Sequence, residues 1–246
     1  MNIVRVATYN IHKGVQGVGP GRRLEIHNLG HAVEQLDADI VCLQEVRRLN
    51  RGEARYFSRW PDVPQAEYLA PPGYEAVYRT NATTRHGEHG NAMLSRWPVL
   101  AHQHEDMSDH RFEQRGLLHS EVNLHGQAVH VVVVHLGLIP ASRMRQIAQL
   151  ERYIAREIPI RAPLIVAGDF NDWDTLGQRE LGGMGLLGFK GPMQPTYPSR
   201  LPLAQLDHVY ARGLLPHGLL VPRGRIWWRM SDHLPLVAEF QLPDLT

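Results

Sequence analysis

One cysteine, Cys42, occurs in 246 residues, so no internal disulfide framework can form. It lies in the apolar run Asp39-Ile40-Val41-Cys42-Leu43, which predicts a buried structural thiol. No apolar run is long enough to span a bilayer. Met1-Asn2-Ile3-Val4-Arg5 leads into a strand pattern rather than a secretory leader, so a cytoplasmic location is expected. Lysine is scarce: Lys13 and Lys190 stand alone, and the rest of the 26 basic residues are arginine. Arginine suits bidentate phosphate contacts, although codon bias enriches it equally. The net charge of +1 argues against a chain built as a general polyanion magnet. Internal repeats, low-complexity runs and linkers are also lacking. With 43% hydrophobic residues the chain can fill a sizeable core, and 1–246 reads as one domain.

What is present is a succession of short apolar runs. Residues 3–9, 40–43, 74–78, 91–95, 99–102, 164–168, 206–210 and 236–240 read as strands. Residues 117–124 and 128–135 read as a hairpin turning at His125-Gly126-Gln127. Apolar spacing predicts helices over 23–36 and 141–157. Residues 14–21 read as a Gly-rich loop, 46–73 as an irregular Arg- and Pro-rich surface excursion, and 80–90 as a polar, mobile stretch.

The chain is organised around Leu164-Ile165-Val166-Ala167-Gly168-Asp169-Phe170-Asn171-Asp172. An apolar strand here stops abruptly in carboxylate and amide. Period-two geometry puts Asp169 and Asn171 on one side. Asp and Asn are favoured in turns, so a turn explains the stretch as well as a site does. The pattern recurs, however. Asn10, Glu45, His135, Asp169 with Asn171, and Asp207 with His208 each close an apolar run, and Ser231-Asp232-His233 precedes the last strand. Strand ends gather along one edge of a sheet, where residues distant in sequence can converge.

Thr8-Tyr9-Asn10, Gln44-Glu45, Gly90-Asn91-Ala92-Met93-Leu94-Ser95, His135-Leu136, Gly168-Asp169-Phe170-Asn171, Leu206-Asp207-His208 and Ser231-Asp232-His233 occur in that order. This ordered set resembles the endonuclease/exonuclease/phosphatase superfamily, which includes deoxyribonuclease I, abasic-site endonucleases, neutral sphingomyelinases, inositol-phosphate phosphatases and deadenylases. The runs His135-Leu136-Gly137-Leu138 and 167–173 look most like a bacterial branch of it. The resemblance implies a deoxyribonuclease I-like α/β fold: a four-layer α/β/β/α sandwich of two mostly antiparallel sheets, face to face, with helices outside.

It also implies roles. Glu45 matches the principal Mg²⁺ ligand and Asp232 a second acidic contact near the metal; Mn²⁺ could replace Mg²⁺. His233 matches the histidine that contacts the scissile phosphate, with Asp207 as the carboxylate that orients it and raises its pKa. Asp169 matches the base for the attacking water. Asn171 and Asn10 match donors to phosphate oxygens. His135 matches a second histidine acting as acid toward the leaving oxygen, and Asn91 a weaker substrate-binding position. Plainer readings stand beside these: a surface ion pair for Glu45, a cap for Asp232, a hairpin end for His135, a strand start for Asn91. His12 departs from abasic-site endonucleases, which carry a carboxylate there, and so favours a single strong magnesium site.

The implied activity is Mg²⁺-dependent phosphoester hydrolysis, most simply by a phosphodiesterase. Two rims bear on the substrate. Arg47, Arg48, Arg51, Arg55 and Arg59 follow the metal glutamate with only Glu53 against them, and Arg223, Arg225, Trp227, Trp228 and Arg229 precede the Asp232-His233 pair. Arginine with tryptophan suits nucleic acid and equally a phospholipid headgroup. A DNA or RNA nuclease is therefore the alternative, and a catalytically silent phosphate-binding protein a third. No protein partner is expected.

Overall fold

The structure, a computed structural model, describes residues 3–173 and 176–242. Met1 and Asn2, which head the run read as leading into a strand, lie outside them. The first half holds β1 (Ile3–Asn10), β2 (Val15–Gln16), β3 (Arg23–Leu24), α1 (Ile26–Leu36), β4 (Ile40–Val46), α2 (Arg51–Tyr56), α3 (Gln65–Leu69), β5 (Glu75–Thr84), β6 (Gly87–Ser95), β7 (Val99–Asp106) and β8 (Gly116–Leu124). The second holds β9 (Gln127–His135), α4 (Pro140–Glu157), β10 (Leu164–Asp169), α5 (Leu176–Gly183), β11 (Asp207–Arg212), β12 (Leu215–Leu220), α6 (Trp227–Met230) and β13 (Leu236–Gln241).

Two sheets dominate, in the orders β12-β13-β1-β4-β6-β5 and β11-β10-β9-β8-β7. Their pairings are antiparallel except β1 with β4 and β9 with β10. A parallel pair needs a long crossover, usually a helix, and here α1 and α4 supply it. The expected α/β/β/α sandwich is the fold observed.

Side-chain alternation explains the layers. Val4 and Val6 of β1 and Ile40 and Cys42 of β4 join one core with Val129, Val131 and Val133 of β9 and Ile165 and Ala167 of β10, between the sheets. The neighbours Ala7, Tyr9, Val41 and Leu43 instead pack on Ile26, Leu29 and Val33 of α1. Val132, Val134, Leu164 and Val166 pack on Ile147, Leu150 and Ile154 of α4. Continuing the inward parity past the apolar residues reaches Asn10, Gln44, His135, Asp169 and, on antiparallel β11, Asp207. The face that buries valine in mid-strand therefore delivers polar groups at one end of the sandwich.

Some expectations are revised. Residues 80–90, read as a polar stretch between strands, form the turn end of the β5–β6 hairpin, which is paired from Glu75↔Ser95 to Thr84↔Gly87 at the sheet edge. The 46–73 excursion contains α2 and α3. The first helix starts at Ile26 rather than residue 23, because Arg23 and Leu24 pair with Gln16 and Val15. Residues 215–220, within the Pro/Gly-rich bend, form edge strand β12 on β13.

Candidate active site

In the 164–172 run the two oxygens of the Asp169 carboxylate face different partners. Asp169 Oδ1 accepts the Asn171 N–H at 3.0 Å, closing a tight turn in which Asn171 takes a φ of 48°, a conformation asparagine tolerates. Asp169 Oδ2 accepts from Asn10 Nδ2 at 3.0 Å and lies 3.6 Å from Nε2 of both His135 and His233. Gly168 lets the strand approach closely: a Cβ there would lie 1.9 Å from the Val134 carbonyl oxygen.

His233 is held from behind. Its Nδ1 lies 2.8 Å from Asp207 Oδ2, and its ring centroid 4.9 Å from that of Tyr197. Asp207 is fully buried, and its backbone N–H and that of Leu206 point to Thr196 Oγ1. The 231–233 segment is fixed to β1 through Ser231 Oγ, which donates to the Asn10 carbonyl at 2.6 Å. Asp169, Asp207 and His233 bring ligand atoms within 4.8 Å of one another, close enough to hold a metal ion.

Glu45 sits where a bulge interrupts the β4–β6 register, with a φ of 57°. The left-handed turn breaks the strand parity and sets the carboxylate beside Lys13, whose Nζ is 2.7 Å from Oε2. Asp232 Oδ1 lies 3.2 Å from His12 Nδ1. His12 and Lys13 also have positive φ, 44° and 60°, on a short turn after β1. Each acidic group expected at the metal is thus matched by a basic group from this one turn.

The electrostatics separate these groups. Burial pushes the Asp169 carboxyl above the usual carboxylate range, and Asp207 adds to the shift while His233 opposes it. Burial works against charge on His233, but Asp207 and Asp169 overcome it and push the imidazole up to about 10. His135 is held well below its ordinary value, by burial first and then by Arg115. Burial thus disfavours its charged form, while Glu45 pulls the other way. Burial also opposes charge on Glu45, yet Lys13 and His135 keep its carboxyl well below the usual range. Asp232 is likewise depressed, against burial, by His12 and His233.

The structure therefore brings Asn10, His135, Asp169, Asn171, Asp207 and His233 to one end of the sandwich, with Glu45 and Asp232 alongside. The Asn171 amide nitrogen also donates to the Leu136 carbonyl at 2.9 Å. Asn91 stands apart: its amide nitrogen donates to the Gly116 and Val133 carbonyls at 2.9 and 3.2 Å, tying β6 to the facing sheet. Its place is that of a cross-sheet tie rather than the substrate contact expected. Sequence reasoning passed over Lys13, Tyr197 and His89. His89, which burial depresses to about 4 against the pull of Glu45, carried no motif. Tyr197 lay in a Pro-rich stretch, and Lys13 was legible only as a rare lysine.

The two arginine rims differ. Glu53 takes both Arg22, at 2.8 and 2.9 Å, and Arg47, at 3.4 Å, so the first rim is partly neutralised within the fold. Arg200, Arg225, Arg229, Trp228 and Arg23 line an open cavity of about 530 Å³.

Over residues 7–233 the sequence matches the Endonuclease/Exonuclease/phosphatase family. The chain belongs to that family. It is similar to the uncharacterized protein YbhP of Escherichia coli K12, at 37% identity over 97% of this chain and 96% of that protein. Its fold is similar to an endonuclease/exonuclease/phosphatase from Beutenbergia cavernae, with a TM-score of 0.73 and 21% identity over 98% of this chain and 72% of that one. It is similar again to D. rerio TDP2 complexed with single-strand DNA product, with a TM-score of 0.68 and 16% identity over 98% and 100% of the chains. Enzymes of the family hydrolyse phosphoesters and are typically dependent on a divalent metal.

Proposed function

We propose that the protein is a divalent-cation-dependent phosphodiesterase and that residues 1–246 act as one domain, because the site draws on both sheets. The observation that carries this reading is the Asp169 carboxylate, its pKa raised, held between Asn10, His135 and the His233–Asp207 pair. A buried base with a raised pKa is suited to taking a proton from water near neutral pH. A buried imidazolium beside it is suited to a phosphoryl oxygen gaining charge.

The residues present fit Mg²⁺ or Mn²⁺. Glu45 and Asp232 are hard oxygen donors, as these ions require, and each already faces a basic side chain, Lys13 and His12. Asp207 and Asp169 face His233 and Asn10, and we assign them to proton handling; we assign the cation to Glu45 with Asp232, whose partners Lys13 and His12 would give way to it. When bound there, the cation would neutralise a non-bridging phosphate oxygen. The chain's own groups do the rest. Asp169 aligns the attacking water and takes its proton. His233, kept charged by Asp207, and the free N–H bonds of Asn10 and Asn171 bind the phosphoryl oxygens. His135 donates a hydrogen bond at the leaving side. One P–O bond forms to water, one P–O ester bond breaks, and the water's proton ends on the leaving alkoxide.

A panel of bis-p-nitrophenyl phosphate, p-nitrophenyl phosphate, single-stranded DNA, RNA and phospholipid, each with Mg²⁺ and with chelator, tests the reading. Metal-dependent turnover of the diester above the monoester is expected. No turnover of any member, or faster turnover of the monoester, would overturn it.

A further inference from the structure

Three segments that give arginine to the basic cavity also carry exposed apolar residues nearby in sequence. The loop that leads into Arg23 of β3 carries Val18, 87% exposed. The segment after Pro198 carries Arg200 with Leu201 and Leu203, 67% and 69% exposed. The segment before α6 carries Arg225 with Ile226, 65% exposed. This rim is joined to the catalytic segment: Ser199 N donates to the Asp232 carbonyl and Ser199 Oγ to the Ser231 carbonyl, both at 2.7 Å.

Most of the cavity's charge is uncompensated within the described residues. Arg23 is held by Glu25 at 3.1 Å. Arg200, Arg225 and Arg229 have no carboxylate within 4.0 Å among the described residues. Guanidinium groups lining one cavity repel one another, and an external anion relieves that repulsion. Four large aliphatic side chains facing water on the segments that line such a cavity suit a partner that is apolar as well as anionic.

We propose that this rim docks the protein on an anionic phospholipid bilayer, so that the site faces headgroup phosphodiesters. Docking on the bilayer rests on the rim alone; only the substrate class rests on the phosphodiesterase reading. Nucleic acid would use the arginines and the Trp228 ring but gives Val18, Leu201, Leu203 and Ile226 nothing to enter. A bilayer surface uses both: headgroup phosphates meet the guanidinium forks, and the aliphatic tips enter the acyl boundary. Arginine stems lie along apolar surface while their charged ends stay wet.

The test is flotation of the intact protein with vesicles of phosphatidylcholine alone or with phosphatidylglycerol, beside retention by a single-stranded DNA oligonucleotide. Flotation with the anionic vesicles, weakened by salt and absent with phosphatidylcholine, is expected. R225A/R229A should weaken partitioning about thirty-fold, and L201S/I226S about ten-fold or more. All four positions are solvent-facing, and an unchanged melting temperature shows that the variants fold. Absence of flotation overturns the proposal. So does flotation indifferent to L201S/I226S, or DNA retention lost in R225A/R229A without vesicle binding. The His233→Ala protein separates the two readings. If wild type and this variant both float and neither hydrolyses anything, docking stands and the enzyme reading falls; wild-type hydrolysis of bis-p-nitrophenyl phosphate without flotation does the reverse.

Discussion

Replacing Asp207 by Asn keeps the shape of the side chain and removes one charge. In the wild-type protein burial disfavours the imidazolium of His233, and Asp207, at 2.8 Å, is the foremost group overcoming that penalty. Asp207 lifts the imidazole to about 10, together with Asp169. Without its charge the burial penalty is opposed chiefly by Asp169, and the His233 titration should move down. The phosphoryl oxygens then face a less firmly charged donor, and the catalytic rate should fall by about 10²–10⁴-fold. The stability consequence has a definite sign. A folded-state pKa above the unfolded value stabilises fully below about 6.5, and that contribution is lost as pH rises through about 10. The wild-type advantage over Asp207→Asn, about 1–3 kcal/mol, should therefore shrink on the alkaline side. The assay combines steady-state kinetics with NMR titration of the His233 ring. An Asp207→Asn protein with wild-type turnover and an unshifted His233 titration would refute the reasoning.

Other consequences can be measured directly. Because burial raises Asp169, the acid limb of the rate–pH profile should lie above the usual carboxylate range and disappear from the residual activity of Asp169→Asn; a limb near pH 4 would contradict this. Glu45→Gln should raise the Mg²⁺ concentration for half-maximal activity at least ten-fold, read by activity against metal concentration, with little change in melting temperature. Gly168→Ala should destabilise the fold by more than about 2 kcal/mol, since its Cβ would meet the Val134 oxygen at 1.9 Å; chemical denaturation reads this. Asn91→Ala should cost about 1–3 kcal/mol of stability by freeing two buried carbonyls, while leaving KM unchanged.

The fold was legible where one face of a strand is buried. The alternation in 3–9 and the valine run of β9 write both layers of the sandwich directly into the sequence. It was illegible at sheet edges, where neither face is apolar enough to show a period. The polar 80–90 hairpin and the Pro- and Gly-containing β12 are of this kind. The convergence of the candidate residues was legible as polar groups ending inward-facing rows, which is how Asn10, His135, Asp169 and Asp207 come to share one end of the sandwich. Glu45 and Asn171 reach the site by left-handed backbone turns, which strand periodicity does not forecast. Lys13 and His12 come from a turn whose direction only the folded chain fixes. The environment of His135 was also hidden, because the depressed imidazole depends on burial and on Arg115, twenty positions away.

The most direct measurement is hydrolysis of bis-p-nitrophenyl phosphate by the wild-type protein with Mg²⁺, with chelator, and by folded Asp169→Asn and His233→Ala proteins. The account predicts turnover that needs the cation and falls by about 10³-fold or more in each variant. Metal-independent turnover, or variants as fast as the wild type, would contradict it.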